Sequence, residues 1–289
     1  MSKRPLPLLH TVRAGPYTIR GVSLGGIYTS LQVPELGVVF DVGMPIRSFA
    51  ATDHLFLSHG HGDHVGALAA MLGIRGLLHT KQPPNVYMPA PIADDVRTSI
   101  DAMSRLQRHE LTFTPHPMVA GDELQLRRDL HVTAFKTHHP VPSLGYRFFD
   151  RVKKLRPEFK EMPGREIAER KKAGEDLFTL EERSELAYAT DTLIRVIDTC
   201  PEILKTRVLI LECTFLDDKK SLEASRAGCH IHLDELLERA DDFQNEHLVL
   251  MHFSQLYMPR DVHRILRERW PADHPTKLHI FAPAEGPWP

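Results

Sequence analysis

Apolar and polar positions in the first third of the chain follow short runs broken by turns. YTIRGVSL (17–24), GIYTSLQV (26–33), GVVFDVG (37–43) and HLFLSH (54–59) alternate or run continuously apolar between Gly, Pro and Asp. Such runs predict strands. After Asp63 the period lengthens: HVGALAAML (64–72) predicts a helix ended by Gly73, and RGLLHT (75–80) a strand. Residues 91–108 predict an amphipathic helix with Pro91 near its start. LTFTP (111–115), ELQL (123–126), LHVTAFKTHH (130–139) and LGYRFF (144–149) predict further strands.

Residues 151–185 interrupt this rhythm, being charged and without strand character. Within 151–172 there are nine Lys or Arg and four Asp or Glu, and PGREIAERKKAG (163–174) reads as a short basic helix. The last third predicts strands at LAYATDT, RVLILECTF, HLVLMHFS and KLHIFA. Between them lie helices at RVIDTCPEILK, HLDELLERADDF and PRDVHRILRERW. Both halves therefore place strands before helices. Two sheets packed face to face, with helices outside, suit one domain over 1–289 carrying a short basic insertion at about 151–174.

A formal net charge of −2 gives the whole molecule no attraction for a polyanion, so any such attraction must be local. The stretch MSKRPLPLLHTVRAG has too short an apolar run for a signal peptide, and no segment approaches the roughly 20 apolar residues of a membrane helix. Cys200, Cys213 and Cys229 form no CxxC pair and suggest no disulfide framework, which points to a reducing, cytoplasmic setting.

The unusual residue is histidine, with 18 copies. His59, His61, Asp63 and His64 occupy six consecutive positions after a predicted strand, separated by Gly60 and Gly62. Imidazole and carboxylate are zinc ligands. In a turn, His59 and His61 would face one ion, Asp63 and His64 a second, with the glycines allowing a tight backbone. A surface histidine-rich loop is the bland alternative, but it does not explain why the cluster follows a strand and opens a helix. Other strand ends offer His139 or His138, Asp191 and His252.

The ordered segments SHGHGDHVGAL, HHPVPSLGYRF, AYATDT, LECTF, GCHIHLDEL and MHFSQLY resemble the ribonuclease Z family of tRNA 3′-processing endonucleases. That family lies within the metallo-β-lactamase superfamily, and the resemblance spans roughly residues 15–285. It implies an α/β fold, the αββα sandwich of two mixed sheets. It further implies two zinc ions, with manganese or iron as substitutes. His59, His61 and His139 would ligate one ion, Asp63, His64 and His252 the other, and Asp191 would bridge them. His139 is preferred to His138 because it stands six residues before Gly145.

The resemblance also makes Asp63, Glu212 and His230 catalytic: Asp63 orients the attacking water, and His230, held by Glu212, protonates the leaving oxygen. His232 is the rival donor, and helix capping is the bland role for His230. Precursor tRNA is the implied substrate, a homodimer the implied assembly. Candidate RNA contacts are Lys153, Lys154, Arg156, Arg170, Lys171 and Lys172, although interleaved glutamates also suit a solvated helix. The chain departs from the family pattern at Thr190, Ile231 and Leu256, where Gly, Ser and Arg are usual, and in its short 147–190 interval. A dizinc hydrolase of a small phosphodiester or a lactone, and a metal-binding scaffold without catalysis, are the competing readings.

Overall fold

The computed structural model describes residues 9–80 and 82–289. The N-terminal basic stretch begins outside them. Sheet one contains β1 (His10–Ala14), β2 (Tyr17–Leu24), β3 (Tyr28–Val33), β4 (Val38–Phe40), β5 (His54–Phe56), β6 (Asn85–Pro89) and β7 (Thr114–Met118), in that spatial order. Sheet two contains β8 (Glu123–Gln125), β9 (Leu130–Lys136), β10 (Leu144–Leu155), β11 (Phe178–Ala189), β12 (Val208–Glu212), β13 (His247–Met251) and β14 (Lys277–Ile280), again in order. Each sheet pairs antiparallel through its first four strands and parallel thereafter.

The helices are α1 (Gly62–Val65), α2 (Leu68–Leu77), α3 (Ala93–Gln107), α4 (Gly164–Lys172), α5 (Val196–Thr199), α6 (Leu222–Ala227), α7 (Leu233–Glu238) and α8 (Pro259–Arg269). Phe40, Phe56, Tyr146, Phe148, Tyr188 and Ile210 fill the space between the sheets. Val39, Leu55, Val86, Met71 and Val96 bury α2 and α3 against sheet one. Leu209, Leu248, Leu236 and Leu266 bury α7 and α8 against sheet two. The layers are thus αββα, as expected. None of the described helices is long and apolar enough to cross a membrane.

Several local expectations change. RGLLHT is not a strand: α2 runs through Gly73 to Leu77. Arg75 explains this, because its buried guanidinium donates to the carbonyls of Ala50 and Thr52 and anchors the helix's last turn. The strand lies later, at β6, between Pro84 and Pro89. LTFTP slips to Thr114–Met118. The helix expected over 195–205 stops at Thr199 and resumes as a 3-10 turn from Pro201, since proline cannot continue an α-helix. Strand β1 and helix α6 were not read from the sequence.

The largest departure is in 151–185. β10 loses β9 as a partner after Asp150, yet pairs with β11 out to Leu155↔Phe178. These outer halves form a two-stranded ribbon, and its far end carries α4. Both ribbon faces are largely wet, so no apolar alternation marks the strands. Cross-strand pairs such as Arg151–Glu182 and Lys154–Glu181 hold them instead.

The loop after β4 sets the site end of the sandwich. Gly43 N–H donates to Thr29 O at 2.9 Å, and Val42 N–H to His64 O at 2.6 Å. A Cβ on Gly43 would stand 1.9 Å from Asp63 O and 2.7 Å from Thr29 N. Gly43→Ala should therefore cost about 2 kcal/mol or more. That corresponds to a fall of roughly 5 °C in the thermal midpoint. An unchanged midpoint would show that this close approach is not needed.

Candidate metal centre

Four parallel-type strands end on one edge of the sandwich: β4 at Phe40, β5 at Phe56, β12 at Glu212 and β13 at Met251. β11 ends beside them at Ala189. The chain turns sharply after three of these ends, and Asp41, Asp191 and His252 all take left-handed backbone, with φ of 56°, 45° and 60°. Non-glycine residues adopt this conformation only when the surroundings impose it. Here it swings each side chain back over the sheet edge.

The five histidines and two aspartates expected at the centre converge there. His61 Nδ1 lies 3.1 Å from His59 Nε2 and 3.2 Å from His139 Nε2. Asp191 divides its oxygens between two groups. Oδ2 faces His59 at 3.7 Å and His139 at 3.9 Å, whereas Oδ1 faces His64 at 3.4 Å and His252 at 3.2 Å. Asp63 Oδ2 lies 3.3 Å from His64 Nε2 and accepts from Gly26 N–H at 3.1 Å. Thr190, where the family pattern has glycine, donates its hydroxyl to Asp191 Oδ1 at 2.8 Å.

On His59, His64 and His252 the opposite ring nitrogen is already committed. His64 Nδ1–H donates to Asp41 Oδ2 at 2.9 Å, and His59 Nδ1–H to Ser58 Oγ at 2.9 Å. Ser58 Oγ passes its own proton to Asp41 at 2.8 Å, and Tyr188 OH donates to the same carboxylate at 2.6 Å. His252 Nδ1–H donates to Thr214 Oγ1 at 3.2 Å, and Thr214 donates onward to Glu212 Oε2 at 2.5 Å. Each arrangement orients the ring and aims Nε2 inward, where on His64 a bound cation would take the place of the proton that the carboxylates otherwise retain.

The donor set fits divalent ions. His64 Nε2 and His252 Nε2 are buried and have no hydrogen-bond partner. An unmet buried polar atom costs about 1–3 kcal/mol, so two at one point call for a bound group. Three clusters bring ligand atoms together: His59, His61, His139 and Asp191; Asp63, His64 and His252; and, overlapping both, Asp191, His230 and His252. Burial, reinforced by His64, lowers the His59 pKa to about 2, and burial also lowers that of His139. Both are then neutral imidazoles, the ligating form. Burial opposes charge on His64 too, but Asp191 and Asp41 outweigh it and hold its pKa well above the usual value. Burial alone would raise Asp191, yet His252 and His64 hold it below the carboxylate range. The pocket is an environment that demands positive charge.

Next to it, Glu212 Oε1 accepts from Thr192 N–H at 2.7 Å and from His230 Nδ1–H at 3.1 Å. Burial disfavours the imidazolium of His230, but Glu212 overcomes this and raises the pKa to about 9. The rivals separate clearly. His138 turns away, its Nε2 on Thr199 Oγ1 at 2.9 Å. His232 caps α7, its Nδ1 accepting from Asp234 N–H at 3.1 Å. The bland capping role thus belongs to His232, two residues beyond His230.

Two readings need revision. Gly60 and Gly62 do not permit a tight turn: neither has positive φ, and a Cβ would meet nothing closer than Ile92 at 3.8 Å. They leave open space over the cluster. The sequence reading also missed Asp41, Ser58, Thr214 and Tyr188, although GVVFDVG already showed an acid closing an apolar run.

The six basic candidates of the insertion lie at the other end of the sheet. Phe178 and Asp191 are separated by thirteen residues of mostly extended chain, roughly 40 Å at strand rise. Lys154, Arg156 and Arg170 are in ion pairs with Glu181, Asp176 and Glu166. Lys153, Lys171 and Lys172 form none among the described residues. Lys153 and Lys171 line a cleft of about 660 Å³ with Arg128 and Arg151.

A family model described as a beta-lactamase superfamily domain matches residues 38–253. The chain is 34% identical over 272 residues to tRNase Z TRZ1 of Arabidopsis thaliana, covering 93% of this chain and 96% of that protein. It is 33% identical to the chloroplastic tRNase Z TRZ2 of the same plant, covering 85% and 70%. The crystal structure of the short form of human tRNase Z shares the fold, with a TM-score of 0.57, 19% identity, and 94% and 96% coverage. The chain belongs to the tRNase Z, or ribonuclease Z, family of the β-lactamase superfamily.

Proposed function

We propose that this protein is a dizinc endoribonuclease that cleaves precursor tRNA at its 3′ end. The observation that carries this reading is the division of Asp191 between two imidazole groups beside the Glu212–His230 pair, in a chain of this family. His59, His61, His139 and Asp191 would hold one ion, and Asp63, His64, His252 and Asp191 the other. Manganese or iron would suit the same ligands. When bound, such ions activate water and neutralise charge on a phosphate.

The chain's own residues supply the rest. Asp63, anchored through Oδ2 by Gly26 N–H, orients the attacking water and takes its proton. His230, with Nδ1–H on Glu212, gives a proton to the departing ribose 3′-oxygen. The products are tRNA with a 3′-hydroxyl and a trailer with a 5′-phosphate. The ribbon arm serves as an RNA-binding exosite through Lys153, Lys171 and Lys172, the three of the six candidates that form no ion pair among the described residues. A small-diester or lactone hydrolase would not need such an arm. A homodimer and a reducing, cytoplasmic setting complete the proposal, and sedimentation velocity tests the dimer: a monomer alone would contradict it. The three cysteines are unbonded.

The direct test is incubation of the zinc-loaded protein with a 3′-extended precursor tRNA, alongside Asp191→Ala. Wild type should cut once next to the discriminator base, and the variant should lose both activity and bound zinc. Cleavage of only a small chromogenic diester would overturn the tRNA assignment. His230→Ala should lower kcat by roughly 10²–10⁴-fold. His232→Ala should instead cost about 1 kcal/mol of stability while cleavage persists. The reverse pattern would transfer the donor role to His232. Replacing Lys153, Lys171 and Lys172 by alanine should raise KM for precursor tRNA and flatten its salt dependence. Equal loss on replacing the paired Lys154, Arg156 and Arg170 would mean that the arm acts through its fold rather than its free charge.

A further inference from the structure

Lys219 and Lys220 lie in the loop after β12, and nothing in the chemistry above uses them. We propose that they form a phosphate clamp at the mouth of the site, gripping RNA backbone on the His230 side of the scissile linkage. This rests on the ribonuclease reading.

The loop is firmly held. Tyr257 OH accepts from Leu216 N–H at 2.9 Å and donates to Asp217 Oδ1 at 3.0 Å. Asp217 Oδ1 also accepts from Lys219 N–H at 3.1 Å. The two ammonium groups are placed without any acid. Lys219 Nζ stands 4.8 Å from the centre of the Tyr257 ring and donates to Leu256 O at 3.4 Å. Lys220 Nζ stands 5.6 Å from the Phe215 ring. Among the described residues, neither comes within ion-pair distance of a carboxylate. Aromatic faces position a cation without neutralising it, so both charges remain available.

Their direction is set by Phe215. Its ring centre is 5.6 Å from Lys220 Nζ and 6.2 Å from the His230 ring centre, so one ring neighbours both. Lys220, with Lys219 next to it in the chain, therefore belongs to the His230 side of the centre, and in this reaction that side carries the 3′-terminal nucleotides of the tRNA. Beside them Leu256 and Met258 are 51% and 46% exposed. They offer apolar surface to a ribose or base next to the clamped phosphate. Neither cation is neutralised by a carboxylate among the described residues, so an RNA phosphate would be the anion they receive.

The test compares wild type with the double variants Lys219→Ala/Lys220→Ala and Lys219→Arg/Lys220→Arg, all zinc-loaded. Precursor-tRNA KM and kcat are measured across a salt series, with thermal midpoints to check the fold. The alanine pair should raise KM on the order of tenfold. It should hold kcat within about twofold and reduce the salt slope by about one. The arginine pair should restore both. Unchanged KM and slope in the alanine pair, or no restoration by arginine, would overturn the clamp. Binding of a fluorescent single-stranded RNA to Asp191→Ala, with and without the lysine changes, gives a reading independent of cleavage. If wild type does not cut precursor tRNA, the ribonuclease reading fails, and the clamp stands or falls on whether the lysine changes weaken that binding.

Discussion

Everything at the working end of this molecule depends on concentrating carboxylates where water cannot solvate them. Asp41, Asp191 and Glu212 are almost fully buried, and Asp63 lies beside them. Removing such charges from water is costly unless cations or donors replace the solvent. Donors serve Asp41 and Glu212: hydroxyls, backbone N–H groups and imidazole N–H groups saturate both. Asp63 and Asp191 instead face the inward nitrogens of His64 and His252. Those nitrogens have no other partner. The difference divides supporting carboxylates from those proposed to hold metal.

The fold satisfies this constraint by a repeated device. In each half of the chain, parallel strands run to the same edge and stop, and a residue one or two positions on turns back over it. Left-handed backbone at Asp41, Asp191 and His252 is the local cost, and the packed layers on both sides impose it. Gly43 lets the first such loop touch the backbone of Asp63. The hydrophobic sandwich thus acts on the chemistry indirectly, by fixing where strands end to the precision that hydrogen bonds among imidazoles require.

Much of this was legible in the sequence, and the gaps have physical reasons. The six-residue cluster His59 to His64 is dense enough to stand out, and strand-end acids and histidines completed the candidate set. Of the rival pairs, His139 and His230 are the members that lie in the cluster, whereas His138 and His232 bond elsewhere. Asp41 and Thr214 escaped notice because a supporting role is visible only when distant segments meet. Yet FDVG, ATDT, LECT and LMHF share one form, an apolar run closed by an acid or a histidine. The ribbon strands were illegible because a wet ribbon buries no face and therefore carries no period. RGLLHT misled because a short apolar run suits helix and strand alike, and only the reach of Arg75 decides.

Asp191 is proposed to join two metal positions. A crystal of the zinc-loaded protein, with data collected on both sides of the zinc absorption edge, tests it most directly. Two anomalous peaks are expected, one among His59, His61 and His139, the other among Asp63, His64 and His252, with an Asp191 oxygen toward each. A single peak, or two peaks that Asp191 does not touch, would contradict it.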